Sequence, residues 1–376
     1  MTKERLISLD AFRGFTIASM VLVNNPGDWG NIYRQLGHAE WNGWTFTDWV
    51  FPFFLFIVGV AMTFSLARRQ VQVHERWPLV LSLWKRAAIT IGIGLMLNLI
   101  PNFNFDTVRI PGVLQRIGVC IIFAAPIVVF TGWRAQALWI LACYAAYSVL
   151  MLAMPVPGVA VAGLLEPGQD FGAYVDRLLL SGHLWAKSKT WDPEGLVSTL
   201  PAVSTLLFGV LAGHWLAAKV DAAAKTVWML LAGLLCLWIG AMMDAVFMPI
   251  NKSLWTPSYS VFMAGWALIV FAAFYWLMDA VDSEPVRAAS RKGLLPFTIY
   301  GMNALFIFAF SGLVAKMMGF IKVGDPAEPL KALIFAPIKA LPLAPVNSSL
   351  VFAILFNLAM FAVAWFMWKK KWFVKV

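Results

Sequence analysis

The chain has little charge. Asp, Glu, Lys and Arg make up 13% of its 376 residues against 61% hydrophobic, and mean hydropathy is +0.77. Soluble domains carry about a quarter charged residues, so that class is excluded. Cysteine is scarcer still. Cys120, Cys143 and Cys236 all fall inside apolar runs, which predicts neither a disulfide framework nor a thiolate cluster. Four scattered histidines, His38, His74, His183 and His214, make no ligand set with them, and no metal is expected. Tandem repeats, low-complexity tracts and clear inverted symmetry between the halves are also missing, which weighs against a transporter.

Apolar runs of bilayer length are what the sequence does have. They cover approximately 8–25, 46–68, 79–100, 112–131, 135–154, 196–217, 225–247, 259–279, 295–315 and 348–368, each near the roughly 20 residues a crossing helix needs. The expected fold is therefore all-α and polytopic, a single domain built as a bundle of about ten transmembrane helices. The stretch 330–343, broken by Pro337 and Pro342, reads as re-entrant or interfacial. Arg13 interrupts the first run and no small-residue cleavage site follows it, so an uncleaved first span is expected. A long polar segment, 155–195, is a candidate lid. Gly209 and Gly213 predict a close helix contact.

Net charge is +10, with 29 basic and 19 acidic residues. In a soluble protein this would point to nucleic acid. Here Arg68, Arg69, Arg76, Lys85 and Arg86 cluster in one loop, and Lys369, Lys370, Lys371 and Lys375 gather at the other end of the sequence. Both belong to one side of the bundle if the termini are cytoplasmic. The expected setting is a cytoplasmic (inner) membrane with lipid as the surrounding partner and no nucleic acid.

Polar side chains inside spans are costly and become candidates for function. Asn24 and Asn25, ahead of Pro26, either end a helix or line a site. Asp48, in "TFTDWVFP", suits the first turn of a helix, where a carboxylate offsets the dipole. Arg116 either snorkels or acts with Gln115. Asn98 and Asn303 fit interhelical hydrogen bonds. Trp41, Trp44 and Trp49 fit an interfacial belt. His38 stands apart, ten residues before Asp48 and shortly after the Asn pair. A neutral imidazole takes a proton, a carboxylate holds its tautomer, and an amide steadies an oxyanion. That set suits acyl transfer, and it equally suits a proton relay.

The stretches "LDAFRGFTIASMVLVNN", "GHAEWNGWTFTDWVFPFFLFIVG", "IPGVLQRIGV", "YVDRLLL", "WDPEGLVST", "NKSLWTPSY" and "YGMNAL" follow one another as they do in the heparan-α-glucosaminide N-acetyltransferase family. The chain resembles its bacterial members over essentially its whole length. The resemblance implies a transmembrane acyltransferase fold, acetyl-CoA as co-substrate, an amino-sugar acceptor on the far side of the membrane, and a homodimer. Its active histidine falls on His38, its asparagine on Asn24 and its acidic partner on Asp48.

Acetyl-CoA is charged and made inside the cell, so an outer site needs a channel through the bundle. Asp10 and Arg13 are candidates for its inner mouth, with Arg68, Arg69, Arg86 and Arg134 adding charge. Ordinary inner-loop placement explains those four equally well. Gln115, Arg116 and Asn303 are expected to contact the donor, with the sugar an alternative for Gln115 and Arg116. Asn25, Asp192, Glu194, Asn251, Lys252 and Trp255 are expected to contact the acceptor. Two alternatives remain open: the same fold O-acylating a cell-envelope glycan, and a proton-coupled transporter or flippase.

Overall fold

Glycine decides where these helices touch. In a bilayer, association comes from close packing and not from hydrophobic burial, so residues without a Cβ mark the contacts. The computed structural model describes residues 6–69 and 75–374. His74, Lys375 and the Arg68 and Arg69 side chains lie outside the described part.

The first five helices are α1 (Ile7–Asn24), α2 (Phe46–Arg69), α3 (Arg76–Leu99), α4 (Val113–Phe130) and α5 (Trp133–Ala153). A short amphipathic helix, α6 (Phe171–Leu180), stands within the long polar segment. Then come α7 (Thr199–Ala217), α8 (Ala222–Val246), α9 (Pro257–Tyr275), which a π turn extends to Ala280, and α10 (Glu284–Gly293). The chain ends with α11 (Leu295–Met302), α12 (Ala304–Phe320), α13 (Leu330–Lys339) and α14 (Pro345–Lys369). Two residue pairs, Lys322–Val323 and Glu328–Pro329, form a minimal antiparallel ladder before α13.

Among the described residues, nine helices are long and apolar enough to cross a membrane. The expected span 295–315 is not continuous: α11 and α12 are bent by 82° at Asn303, a pair that brings the count to ten when it is taken as one span. Helix α13, with ten residues and Pro337 inside it, is too short to cross. Two-thirds of the span windows of α1, α2, α7 and α9 are buried, against 22% for α8 and 28% for α5. The first four form the centre and the last two face outward.

Paired glycines build that centre. A Cβ at Gly59 of α2 would lie 2.0 Å from the Leu206 carbonyl oxygen, and one at Gly209 of α7 would lie 1.9 Å from that of Phe56. Thr63 then donates across the seam to Val210 O at 3.1 Å, and Gly213 faces the same threonine. Gly14 of α1 and Gly301 of α11 repeat the arrangement, with 1.6 Å to Phe297 O and 1.8 Å to Asp10 O. Phe12, Phe53, Phe271 and Phe274 fill the space between α1, α2 and α9, with Phe12 5.3–5.8 Å from the other three rings.

The loops at 25–45, 100–112, 154–198, 247–256 and 321–344 share one face of the bundle. Cross-links join them there: Gly43 N to Ile250 O, Ile110 N to His183 O, Lys331 Nζ to Pro26 O. We refer to it as the loop face.

Replacing Gly59 with Ala should lower the thermal midpoint, because the methyl meets backbone that cannot yield, at about 1–3 kcal/mol or more. Gly92→Ala in α3, where nothing lies within 4 Å, should leave the midpoint unchanged or raise it. Equal midpoints for the two variants in a detergent melt would refute the close-contact account.

Candidate active site

Asp48 begins as a helix cap. It is the third residue after Thr45, and its Oδ2 accepts from the Thr45 backbone N at 2.9 Å while its own N donates to Thr45 O at 3.0 Å. That reciprocal pair closes the first turn of α2, where the helix dipole also favours a carboxylate. Oδ2 further accepts from Ala39 N at 3.2 Å. With Oδ2 saturated, Oδ1 is left for His38, whose Nδ1 lies 2.6 Å away. The Asp48 side chain is wholly buried, while half of the His38 ring is exposed. Since Nδ1 faces the carboxylate, Nε2 is the nitrogen left to act on a substrate.

The loop holding His38 is fixed from several sides. Thr45 Oγ1 donates to Gly37 O at 2.6 Å, Trp41 Nε1 to Leu165 O at 2.9 Å, and Asn251 Nδ2 to Asn42 Oδ1 at 3.1 Å. Gly43 turns with φ +94°, a left-handed conformation suited to glycine. Below, Tyr259 OH donates to Asp48 O at 2.6 Å and ties the site to α9. Trp255 is fully enclosed, with Phe51 and Tyr259 edge-on at 4.9 and 5.3 Å and its Nε1 donating to Thr205 Oγ1. It forms part of the wall beneath the loop, with no face open to a sugar.

Asp192 and Glu194 do not stand free for a cationic amine. Arg109 holds both: Nε reaches Asp192 Oδ2 at 2.8 Å, and Nη2 reaches Asp192 Oδ1 and Glu194 Oε2, each at 2.5 Å. The other Glu194 oxygen lies 4.0 Å from Lys252 Nζ. Burial alone would raise the Glu194 pKa, but Lys252, Arg109 and Arg116 reverse this and hold it below the ordinary value. The cations also reach His38. The Lys252 ammonium, followed by burial, outweighs the raising effect of Asp48, and the imidazole sits below its ordinary 6.5. His38, Asp48, Lys252, Glu194, Asp192 and Arg109 thus form one coupled group drawn from four loops and the first turn of α2.

The remaining candidates lie elsewhere. Asn24 ends α1 with an exposed amide that has no hydrogen bond among the described residues, and none joins it to His38. Asn25 donates to Val21 O at 2.8 Å and closes the helix. Arg116 is buried under the loop face, donating to Gly195 O and Ser198 Oγ at 2.7 Å and lying over the Trp255 ring at 5.5 Å. Gln115 occupies the room left by Gly94 and Gly112, and its buried Nε2 has no partner. Asn303 spends its amide on the chain's C-terminal segment.

Arg13 pairs with Asp10 at 3.2 Å and lines an open cavity of about 370 Å³ among α1–α4, α11 and α12. Arg86, Ser65 and Thr90 are its other polar side chains. Phe54, Ile57, Ile117 and Leu305 contribute to its apolar wall. His38, Asp48 and Asn24 are not part of the lining. Phe54 follows Asp48 by six residues, about 9 Å along α2.

Sequence reasoning missed Arg109, Tyr259 and Asp176. Asp176 is buried, accepts from Leu196 N at 2.8 Å and has its pKa pushed up to about 6 by burial. Its signal was present in "YVDRLLL", a carboxylate on the apolar side of a short amphipathic helix. Arg109 had a weaker one: a lone arginine two residues before the Pro-Gly that opens α4.

Arg109→Met should destabilise the protein by about 3–5 kcal/mol, since it strands two buried carboxylates. The triple variant with Asp192→Asn and Glu194→Gln should recover most of that loss. Melts that show no recovery would assign Arg109 a role apart from the two acids.

Residues 5–241 match the family described as heparan-alpha-glucosaminide N-acetyltransferase, catalytic. Over 362 residues the chain is 30% identical to the heparan-alpha-glucosaminide N-acetyltransferase of Homo sapiens, covering 81% of this chain and 52% of that protein. With the Mus musculus protein of the same name it is 29% identical over 363 residues, 81% of this chain and 53% of the relative. The chain spans about half the length of the curated relatives it matches. The matched residues contain His38, Asp48 and the whole coupled group except Lys252, and the chain belongs to the heparan-alpha-glucosaminide N-acetyltransferase catalytic family.

Proposed function

We propose that this chain is a membrane acetyltransferase that moves an acetyl group from acetyl-CoA to the amine of an amino sugar at the loop face. The observation that carries the reading is the His38–Asp48 pair, 2.6 Å apart, with a buried carboxylate and a half-exposed imidazole. Family membership supports the reaction class. The charge distribution supports an orientation with both termini in the cytoplasm, where acetyl-CoA is made. The cavity holding Arg13 and Arg86 then opens toward that side, and its apolar upper end approaches α2 below Asp48.

In this reading the diphosphate end of acetyl-CoA stays near Arg13 and Arg86, and the thioester arm runs up the cavity. The unpartnered Gln115 amide nitrogen suits an amide carbonyl of that arm, and the exposed Asn24 amide suits the thioester oxygen. His38 Nε2 takes the proton from the acceptor amine as its nitrogen attacks the thioester carbon. The N–C bond forms, the C–S bond breaks, and coenzyme A leaves as a thiolate that regains a proton from the imidazolium or water. Asp48 keeps Nδ1 protonated throughout. Lys252 keeps His38 unprotonated and therefore basic at neutral pH. Lys252 borders the acceptor's approach, with the buried Glu194 and Asn251 behind it.

With purified protein, acetyl-labelled acetyl-CoA and a panel of amino sugars, label should move to an amine. His38→Ala should reduce the rate by roughly 10²–10⁴-fold, with its melting temperature retained. Asp48→Asn should lower kcat while leaving the KM for acetyl-CoA near that of the native protein. Label on a hydroxyl glycan in place of an amine would redirect the acceptor; absence of donor binding would sink the acyltransferase reading. Acetyl trapped on the protein after quenching, and lost in His38→Ala, would identify an acetyl-His38 intermediate.

The pH profile has a determined sign. A lowered His38 pKa leaves the base unprotonated at neutral pH, so the acid limb of kcat/KM should fall below pH 6.5. Lys252→Met removes the largest lowering influence and should move that limb to higher pH. A limb that stays in place would remove Lys252 from control of His38.

A further inference from the structure

The break between α11 and α12 interrupts helical hydrogen bonding within an apolar stretch. Asn303 stands at that break, 1% exposed, and gives both ends of its amide to one partner. Its Nδ2 donates to Trp372 O at 2.9 Å, and its Oδ1 accepts from Val374 N at 2.9 Å. The chain reaches this position because Lys371, two residues after α14, turns in the left-handed region, φ +57°. Trp372 N then turns back to Met367 O at 2.9 Å. The Trp372 ring meets Phe366 edge-on at 5.7 Å, which fixes the direction of the turn.

Residues 372–374 run between two voids. On one side Val374 lines the 370 Å³ cavity with Arg13, Gly301 and Met302. On the other side, Trp372, Phe373 and Val374 border an open hollow of about 540 Å³ whose remaining lining is Phe306, Val363, Phe366 and Met367. Among the described residues, the first void has cationic side chains and the second has none. Val374 belongs to both linings, so this short segment is the partition between them.

We propose that residues 372–374 are a wall of the donor-binding cavity and that Asn303 is a positioning residue for acetyl-CoA, acting through that wall. The proposal rests on the reading of this cavity as the acetyl-CoA site. Its physical content is exclusion. An apolar hollow admits acyl chains or detergent, and a donor carrying phosphates is held better where hydrocarbon cannot compete for the cavity. Asn303 accomplishes this with two backbone hydrogen bonds from a buried amide to a segment whose own side chains are exposed.

The test uses the full chain in detergent and in nanodiscs, with acetyl-CoA as the probe. Asn303→Leu keeps the size of the side chain and loses both bonds. It should raise the Kd and KM for acetyl-CoA about tenfold, the value of one to two neutral hydrogen bonds. The kcat and the KM for the acceptor should change little. Val374→Trp keeps Asn303 intact, fills the cavity from its wall and should weaken acetyl-CoA binding as well. Val374→Cys should react with a maleimide and be protected by acetyl-CoA, and adding Asn303→Leu should abolish the protection. Donor affinity and protection that survive both Asn303→Leu and Val374→Trp would overturn this proposal alone. Failure of the unsubstituted chain to bind acetyl-CoA would overturn the donor reading and this inference with it.

Discussion

The Asp48 carboxylate is asked to do two things, and the site depends on its doing both. Three donors from residues 38–45 converge on it: the ring of His38 and the backbones of Ala39 and Thr45. Two of these wrap the preceding loop around the start of α2, and the third is the imidazole. A helix cap and a catalytic orienter are therefore one group. Because the cap occupies Oδ2 completely, the imidazole is held by Oδ1 in a single tautomer, and a buried carboxylate without these partners would be strongly disfavoured.

Around this pair the loop face is balanced in charge. Arg109 neutralises Asp192 and Glu194, Lys252 stands between Glu194 and His38, and Arg116 ties the turn at Gly195 and Ser198 to α4. Each cation comes from a different loop or helix end than the acid it meets. The loops are joined by ion pairs and backbone hydrogen bonds, beside an apolar cluster to which Trp41, Leu165, Val197, Met248 and Leu254 contribute from three of them. This is how a loop layer above a bilayer keeps a fixed shape, and one of these cations, Lys252, favours the neutral form of His38.

The crossings were legible before any coordinates, because a run of apolar residues near bilayer length has few alternatives. The close contact at Gly209 and Gly213 was legible for a similar reason, as was the pairing of His38 with Asp48 once the family resemblance was recognised. Other residues were legible as costly but not in their roles. Asn303 stood out as a polar group within an apolar run, yet nothing local indicates an 82° break or a partner 69 residues away. Asp192 and Glu194 read as open acids because Arg109, 83 residues earlier, gave no sign of reaching them. Trp255 read as a sugar platform because a loop tryptophan with a positive φ, folded under the loop into the bundle, leaves no periodic signal.

By itself the sequence determined the solvent, the all-α class and a short list of polar residues that an apolar chain would not keep without use. Those follow from transfer free energy, which is a property of each residue and its near neighbours. Only the tertiary structure decided which of those residues face one another: Asp48 with His38, Arg109 with two acids, Asn303 with the C-terminal segment. Hydrogen bonds and ion pairs depend on distances of a few ångströms between positions far apart in the chain, and helix crossings and loop paths set those distances.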